Sequence, residues 1–384
     1  LAWAGIVLVA TGTGFIKPNL STIVGGLYDQ GDPRRDTGFQ LFYMSINVGA
    51  FASPLVTGWL RAHYGYHAGF AAAAIGMALA LVAFVYGRSK LSVFAFDVPS
   101  PFQEDDRRKL LLVSLGAAAA IALAAGALYG FLGSLSDTIA YTTFVIALGA
   151  SIAYFVIMFR SPKVTGPERT HMRAYISLWV GAVLFWMIYE QASGKMAIFS
   201  KSHTDGTTPF GWVISPEAYQ SVSPATIVIL APLVGWFFSR RLGRAIPTVT
   251  KFATAVLIIA VSALMMGYGF GTWTGGESLA PWWFLAVVFI VQTVGELFLS
   301  PVGLSTTTAL APKSFASQAM VLWLLASATG QGLAAVVIAN TESISDATYY
   351  YGLGAITIVV AIAIFAAAPW TQRQMADISA VSTE

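Results

Sequence analysis

Long apolar stretches of about 20 residues follow one another along nearly the whole chain. A helix needs roughly 20 apolar residues to cross the hydrocarbon core of a bilayer. The stretches that meet this requirement are residues 1–27, 38–61, 68–86, 109–132, 139–159, 175–199, 224–238, 251–270, 281–310, 315–340 and 349–368. The pattern therefore predicts about eleven membrane-spanning helices, and no soluble domain fits between them.

The composition agrees with this pattern. Of the 384 residues, 57% are hydrophobic and 10% are charged, and the mean hydropathy is +0.71, whereas a soluble domain carries roughly 25% charged residues. We therefore predict an all-α membrane protein. The net charge of +3 is too small, and the basic residues too scattered, to form a basic face for nucleic acid, so nucleic acid is excluded as a partner.

Cysteine is absent, and the four histidines are His63, His67, His171 and His203. The chain therefore has no disulfide, no thiol nucleophile and no iron–sulfur cluster. The histidines do not have the spacing of metal ligands. We therefore expect no cofactor.

The positions of Lys and Arg predict how the chain is oriented. Most of them lie in alternate connections, including the one with Arg34 and Arg35, and short loops rich in Lys and Arg stay on the cytoplasmic side. This places the C-terminus in the cytoplasm and Leu1 on the outer side. The chain starts in an apolar stretch without an initiator Met or a signal peptide. We therefore expect a truncated chain.

Three ionisable residues stand out within predicted spans, namely Lys17, Glu190 and Glu296. A charge in hydrocarbon costs at least a few kcal/mol, so such groups usually face a water-filled cavity or pair with one another. In general, burial raises the pKa of a carboxylic acid and a nearby ammonium lowers it, so proton binding can make or break such a pair. This pattern indicates a proton switch. The alternative is a buried structural ion pair of Lys17 with one glutamate.

Asn47 is an uncharged polar residue within a predicted span. Its side chain is a candidate for contact with a ligand, and an interhelical hydrogen bond is the alternative. Both interpretations stay open at the level of the sequence.

Several motifs then resemble one known family. Residues 39–51, FQLFYMSINVGAF, resemble the FYxxINxG signature of the proton-dependent oligopeptide transporters (POT), a branch of the major facilitator superfamily. Residues 14–19 (GFIKPN), 185–191 (FWMIYEQ), 295–301 (GELFLSP) and 323–327 (WLLAS) resemble the fourth, seventh, tenth and eleventh helices of that family. The resemblance covers essentially the whole chain.

The resemblance implies a major facilitator superfamily transporter of two six-helix bundles plus an inserted two-helix hairpin, with the first three helices missing from this chain. Residues 1–90 would be the rest of the N-terminal bundle, family helices 4 to 6. Residues 91–166 would be a cytoplasmic loop and the inserted hairpin, and residues 167–384 the C-terminal six-helix bundle. The hairpin and the short connection 271–280 favour a bacterial inner-membrane protein.

The resemblance also implies roles for individual residues. Lys17 matches the basic position that holds the peptide carboxylate and pairs with Glu296, while Asn47 and Glu190 match the pocket for the peptide amino group. Lys17, Glu190 and Glu296 are the expected proton-coupling residues, although the family's ExxER motif is expected in the missing part. Ser223 stands where family members often carry Asn, and its shorter side chain would either weaken recognition of the amino group or leave it to water. The expected side-chain pocket contains Trp186, Trp323, Leu324 and Ser327.

The function implied is proton-coupled symport of di- and tripeptides by alternating access, with the protein working as a monomer in the lipid bilayer. A cation at Lys17 and a carboxylate at Glu190 suit a zwitterion. The alternative cargo is another small solute, either an anion or a drug-like compound. A channel or sensor with the same cavity is a rival of a different class. An enzyme is not expected, because no cluster of nucleophile, base or metal ligands is present in the sequence.

Overall fold

The computed structural model describes residues 2–27, 34–88, 104–274, 278–341 and 343–381. The chain forms two compact units, Leu1–Ser114 and Leu115–Glu384. Nearly all described residues are helical. This is what a bilayer requires of a spanning chain, because a helix satisfies its own backbone hydrogen bonds.

The first unit contains α1 (Ala2–Gly26), α2 (Arg34–Tyr64), α3 (Tyr66–Gly87) and the start of α4 (Glu104–Leu132). Helices α2 and α3 are joined at Gly65, which has φ 83°, a left-handed conformation that glycine adopts without strain. The two helices approach closely at Gly69, where a β-carbon would lie 3.3 Å from the carbonyl oxygen of Thr57.

The second unit contains most of the helices. In chain order they are α5 (Leu135–Arg160), α6 (Gly166–Tyr189), α7 (Lys195–Ser202), α8 (Val222–Ser239), α9 (Arg241–Ala245), α10 (Thr248–Trp273), α11 (Trp282–Leu310), α12 (Ala316–Asn340) and α13 (Asp346–Val381). Short 3₁₀ helices lie at Glu190–Ser193, Pro216–Ser221 and Lys313–Phe315.

Helix α6 begins at Gly166, earlier than the predicted start at residue 175. The residue before it, Thr165, forms a capping box with Glu168. The carboxylate of Glu168 accepts hydrogen bonds from the Thr165 backbone N–H at 2.8 Å and from the Thr165 hydroxyl at 2.9 Å. These contacts satisfy groups that a helix start leaves without partners, so α6 extends beyond its apolar part.

Helix α6 is the central helix of the second unit. It packs against α10, α11, α12 and α13, and α10 also packs against α11 and α13. Phe185 of α6, Phe252 of α10 and Phe289 of α11 are buried in the resulting core. Helix α5 packs against α12, where the Asn340 side-chain amide donates to the Tyr141 hydroxyl at 2.6 Å.

The connections on the predicted outer side are also folded. Strand β1 (Thr204–Asp205) pairs in parallel with β2 (Ala280–Pro281). In addition, the Ala280 N–H donates to the His203 carbonyl at 2.8 Å, and the Tyr219 hydroxyl donates to the Trp282 carbonyl at 3.0 Å. Hydrogen bonds from Thr207 lower the pKa of the exposed Asp205 carboxyl.

The predicted fold class is confirmed. Among the described residues, ten helices are long and apolar enough to span a membrane, and α1 adds the shorter apolar stretch Ala4–Ile16. Helix α4 starts at Glu104, five residues before the predicted start at 109. The span predicted over residues 175–199 lies within the observed span Gly166–Ser202, and the structure adds a break in this span after Tyr189. The domain divisions at residues 90 and 166 stay predictions.

Gly330 controls the approach of α12 to α6. A β-carbon at Gly330 would lie 2.5 Å from the carbonyl oxygen of Val183. Gly330→Ala therefore forces the two helices apart, and we expect it to destabilise the protein by about 1–3 kcal/mol. Thermal unfolding of the purified protein measures this change. Gly149→Ala is the matched control, because no atom lies within 4 Å of a β-carbon there. Equal unfolding temperatures for the two variants would show that α12 does not need a glycine at position 330 to pack against α6.

Candidate functional site

The break in the sixth span is the first feature of the candidate site. Helix α6 ends at Tyr189, a 3₁₀ helix covers Glu190–Ser193, and Gly194 has the non-helical angles φ −107° and ψ −115° before α7 starts. A break at this depth frees backbone groups that water cannot satisfy, so they need partners within the protein. Glu190 and its neighbours therefore lie on irregular backbone inside a span, where such backbone usually lines a cavity.

Three carbonyl groups at the break accept hydrogen bonds. The Ser193 hydroxyl donates to the Glu190 carbonyl at 3.2 Å, and the Gly194 N–H donates to the Gln191 carbonyl at 2.9 Å. The Ala192 carbonyl accepts from the side-chain amide of Gln220 at 2.6 Å. Gln220 lies in the 3₁₀ helix before α8, so a neighbouring segment stabilises the break.

Side chains also connect the break to the start of α13. The Gln191 amide donates to the Tyr349 hydroxyl at 2.8 Å. Lys195 forms an ion pair with Asp346, and its ammonium lies 5.1 Å from the centre of the Tyr349 ring. We call Gln191, Lys195, Asp346 and Tyr349 the outer clamp. It holds α7 against α13 just beyond the break.

Two carboxylates, Glu190 and Glu296, contribute to the site at the break. The Tyr189 hydroxyl donates to Glu296 Oε2 at 2.6 Å, and the Ser223 side chain interacts with the same hydroxyl. Glu190 lies near enough to Glu296 for their charges to repel each other. We call Tyr189, Glu190, Ser223 and Glu296 the carboxylate cluster. The structure thus brings together three residues that the sequence predicted, contributed by the α6 break, α8 and α11.

Tyr189 is a member of the cluster that the sequence did not predict. Its ring stacks on Phe185 with a centroid distance of 5.9 Å and meets Trp186 edge-on at 5.4 Å. These contacts fix the phenol so that its hydroxyl reaches Glu296. The available sequence signal was its position directly before Glu190.

Trp186 lies beside this cluster, against Tyr189, and its role as a pocket residue stays a prediction. Its indole N–H is buried and has no hydrogen-bond partner in the described part of the chain. A β-carbon at Gly330 would lie 3.1 Å from the Trp186 β-carbon, so Trp186 borders α12. Ser327 and Trp323 lie on the same face of α12 as Gly330, at helical spacing.

The three predicted pocket residues of α12 differ in their surroundings. Trp323 is 6% exposed and covers Gly303 of α11, where no β-carbon would fit. Leu324 is 68% exposed and points away from this contact. Ser327 is partly buried and lies 3.5 Å from the Gln331 side-chain amide. The structure shows Trp323 as a packing residue between α11 and α12, and the role of all three in a pocket stays a prediction.

Two predicted site residues belong to the first unit. Asn47 of α2 is 7% exposed, and its side-chain amide donates to the Tyr43 carbonyl of the same helix at 2.9 Å. Lys17 lies in α1, and its side chain is outside the described residues. Its pairing with Glu296 stays a prediction.

The polar groups of the second unit form one site. The Glu296 carboxylate, the Tyr189 phenol and the Ser223 hydroxyl meet in a span, and the Glu190 carboxylate is near enough to act on them electrostatically. In the described ranges, no group of three or more His, Cys, Asp or Glu is arranged to hold a metal ion.

Comparisons with known proteins agree with this architecture. The family model described as PTR2, the POT family, matches residues 1–353. A protein named di-/tripeptide transporter from Lactococcus lactis subsp. cremoris is 35% identical over 370 residues, which are 94% of this chain and 73% of that protein. An uncharacterized transporter of Bacillus subtilis is 34% identical over 97% of this chain and 75% of its own length.

Solved structures show the same likeness. A crystal structure of a peptide transporter, POT, in complex with sulfate is 36% identical and superposes with a TM-score of 0.88, covering 97% of this chain and 75% of that chain. The family and these relatives are transporters and not enzymes. The chain is therefore a multi-pass membrane protein, and it belongs to the POT family of major facilitator superfamily transporters.

Proposed function

We propose that this chain carries out proton-coupled symport of di- and tripeptides by alternating access. The observation that carries the proposal is the carboxylate cluster, in which Tyr189 bonds Glu296 at 2.6 Å beside Glu190. It lies at the break of a central helix, in a chain that matches proteins named di-/tripeptide transporters over nearly its whole length.

The chemistry of a short peptide fits this arrangement. A peptide carries an ammonium group at one end and a carboxylate at the other. Glu190 and Asn47 are proposed to receive the amino group, and Lys17 the carboxylate. Opposite charges at the two ends give affinity that does not depend on the side chains. The proposed side-chain pocket contains Trp186, Trp323, Leu324 and Ser327.

Proton coupling follows from charge balance in the cluster. Glu190 and Glu296 repel each other when both are ionised, and the Tyr189 hydroxyl stabilises one of them by hydrogen bonding. A proton on Glu296 removes the repulsion and weakens its attraction for Lys17. Lys17 is then released to receive the peptide carboxylate, while Glu190 stays ionised and attracts the peptide ammonium. Protons would be the coupling ion, without another cofactor.

The break also provides a place at which the sixth span can bend. Irregular backbone within a span is a common feature of transporters whose bundles rock about a central site. The outer clamp links α7 to α13, so bending at 190–194 would move these segments together.

We further propose that the protein acts as a monomer in a bacterial inner membrane, with its C-terminus in the cytoplasm. The asymmetric distribution of Lys and Arg supports this orientation. The alternative cargo of an anion or a drug-like solute is not favoured, because several relatives are named for di- and tripeptides.

Uptake of dialanine into proteoliposomes tests the function. We expect the full chain to accumulate dialanine against its gradient when an inward proton gradient is imposed, and to equilibrate it without one. A proton ionophore is the control, because it should remove accumulation but not exchange. Gradient-independent uptake would contradict proton coupling, and absence of uptake by folded protein would contradict the peptide substrate.

Glu296→Gln tests the proton switch. The amide keeps the size of the side chain and does not titrate, so we expect proton-driven accumulation of dialanine to be lost while counterflow of labelled dialanine persists.

Tyr189→Phe removes a hydrogen bond to a charged group, which contributes about 1.5–3 kcal/mol, so we expect a reduction in proton-driven uptake of about tenfold or more.

Controls for both variants lie outside the carboxylate cluster. Glu217→Gln changes a carboxylate in the 3₁₀ helix before α8, and Tyr268→Phe changes an exposed phenol of α10. Both should transport like the unmodified protein. Unchanged accumulation by Glu296→Gln would mean that another group takes up the coupled proton.

Ser223→Asn tests recognition of the peptide amino group. The longer amide can reach further than the hydroxyl, and one added hydrogen bond contributes about 0.5–1.5 kcal/mol. We therefore expect the KM for dialanine to fall by about twofold to tenfold. N-acetylated dialanine, which lacks the ammonium group, is the control substrate and should show no such gain. An equal gain with both substrates would assign Ser223 to a different part of the peptide.

A further inference from the structure

An apolar groove on the surface of the second unit is separate from the carboxylate cluster. It lies between α5 and α6 and has a volume of about 400 Å³. We call it the α5–α6 groove and define it by Phe155, Val156, Arg160, Ile176, Trp179 and Val180. All of these side chains belong to segments that span the bilayer, so lipid is the solvent around the groove.

The floor of the groove is held by contacts to other helices. The Trp179 N–H donates to the Leu322 carbonyl of α12 at 2.8 Å, and the Phe155 ring meets Trp179 edge-on at 5.8 Å. These contacts fix the two aromatic side chains. The groove is therefore a built feature of the fold, and its apolar lining suits an acyl chain.

Each of the two helices that line the groove, α5 and α6, carries an arginine at the same end of the groove. Arg160, the last residue of α5, lies four residues after Val156 and thus on the same helix face. Arg173 lies three and seven residues before Ile176 and Val180, again on one face of α6. Both arginines are exposed. Their end of the groove is on the predicted cytoplasmic side.

The charge decides which lipid this groove prefers. An acyl chain is already in hydrocarbon, so the groove alone offers shape and little selectivity. Two guanidinium groups at the headgroup level attract a phosphate and bind it through paired hydrogen bonds. Basic pockets between helices on the cytoplasmic side are suited to anionic headgroups.

We propose that the α5–α6 groove binds one anionic phospholipid of the inner leaflet. An acyl chain lies along Phe155 and Trp179, and the phosphate lies between Arg160 and Arg173. Phosphatidylcholine has the same phosphate and chains, but its choline cancels the charge, so it binds more weakly. The lipid joins the inserted hairpin to the C-terminal bundle at their cytoplasmic ends.

Native mass spectrometry of the full chain tests this proposal with phosphatidylglycerol and phosphatidylcholine of identical acyl chains. We expect one phosphatidylglycerol to bind in preference to phosphatidylcholine. The double variant Arg160→Gln/Arg173→Gln should reduce this preference by about tenfold or more. Val156→Trp fills the groove but keeps both charges, and it should also lose the bound lipid.

Two control variants match these changes. Arg241→Gln removes an exposed basic residue of α9, and Val145→Trp adds an indole on an exposed part of α5 outside the groove. Both should bind phosphatidylglycerol like the unmodified protein. Equal binding of the two lipids would overturn the charge selection. Retention of the lipid by Val156→Trp, displacement by inorganic phosphate alone, or a second copy of the chain in place of lipid would overturn the proposed occupant.

Discussion

A backbone group that leaves a helix inside a bilayer needs a partner from the protein, and this requirement determines where the sixth span can break. The break at 190–194 lies where Gln220 and Ser193 supply the missing hydrogen bonds. A break elsewhere along α6 would free groups in an apolar core. The position of Glu190, and with it the candidate site, therefore depends on neighbouring segments that can accept and donate at this depth.

Close helix packing places the second carboxylate against that break. Gly330 lets α12 approach α6, and Gly303 makes room for the Trp323 ring between α11 and α12. At Gly295 of α11, a β-carbon would lie 3.1 Å from the Phe185 ring. The next residue of α11 is Glu296, so the small side chain brings the carboxylate to Tyr189. Small residues at helix contacts thus serve the polar chemistry as well as the packing.

The sequence predicts the spans well, because hydrophobicity over about 20 residues is a local property. It also identifies Glu190 and Glu296, since a charge in an apolar stretch is visible without a structure. The break after Tyr189 escaped prediction because it is stabilised by Gln220 and by the outer clamp, which are distant in the chain. Tyr189 was not predicted for the same reason. Its hydrogen-bond partner, Glu296, is distant in the chain, and a tyrosine within a span has no sequence feature that marks it as a site residue. The environment of Trp323 depends on a glycine of another helix, which no local pattern reveals.

Strand β1 follows α7 and strand β2 precedes α11, so their pairing links the end of α7 to the start of α11. Glu296 lies about 21 Å further along α11, at a rise of about 1.5 Å per residue. If α11 tilts as a rigid helix about a point near Glu296, its start at Trp282 moves further than the residues next to Glu296. A spin label or dye attached beside Ala280 would therefore report a tilt of α11 that starts near Glu296.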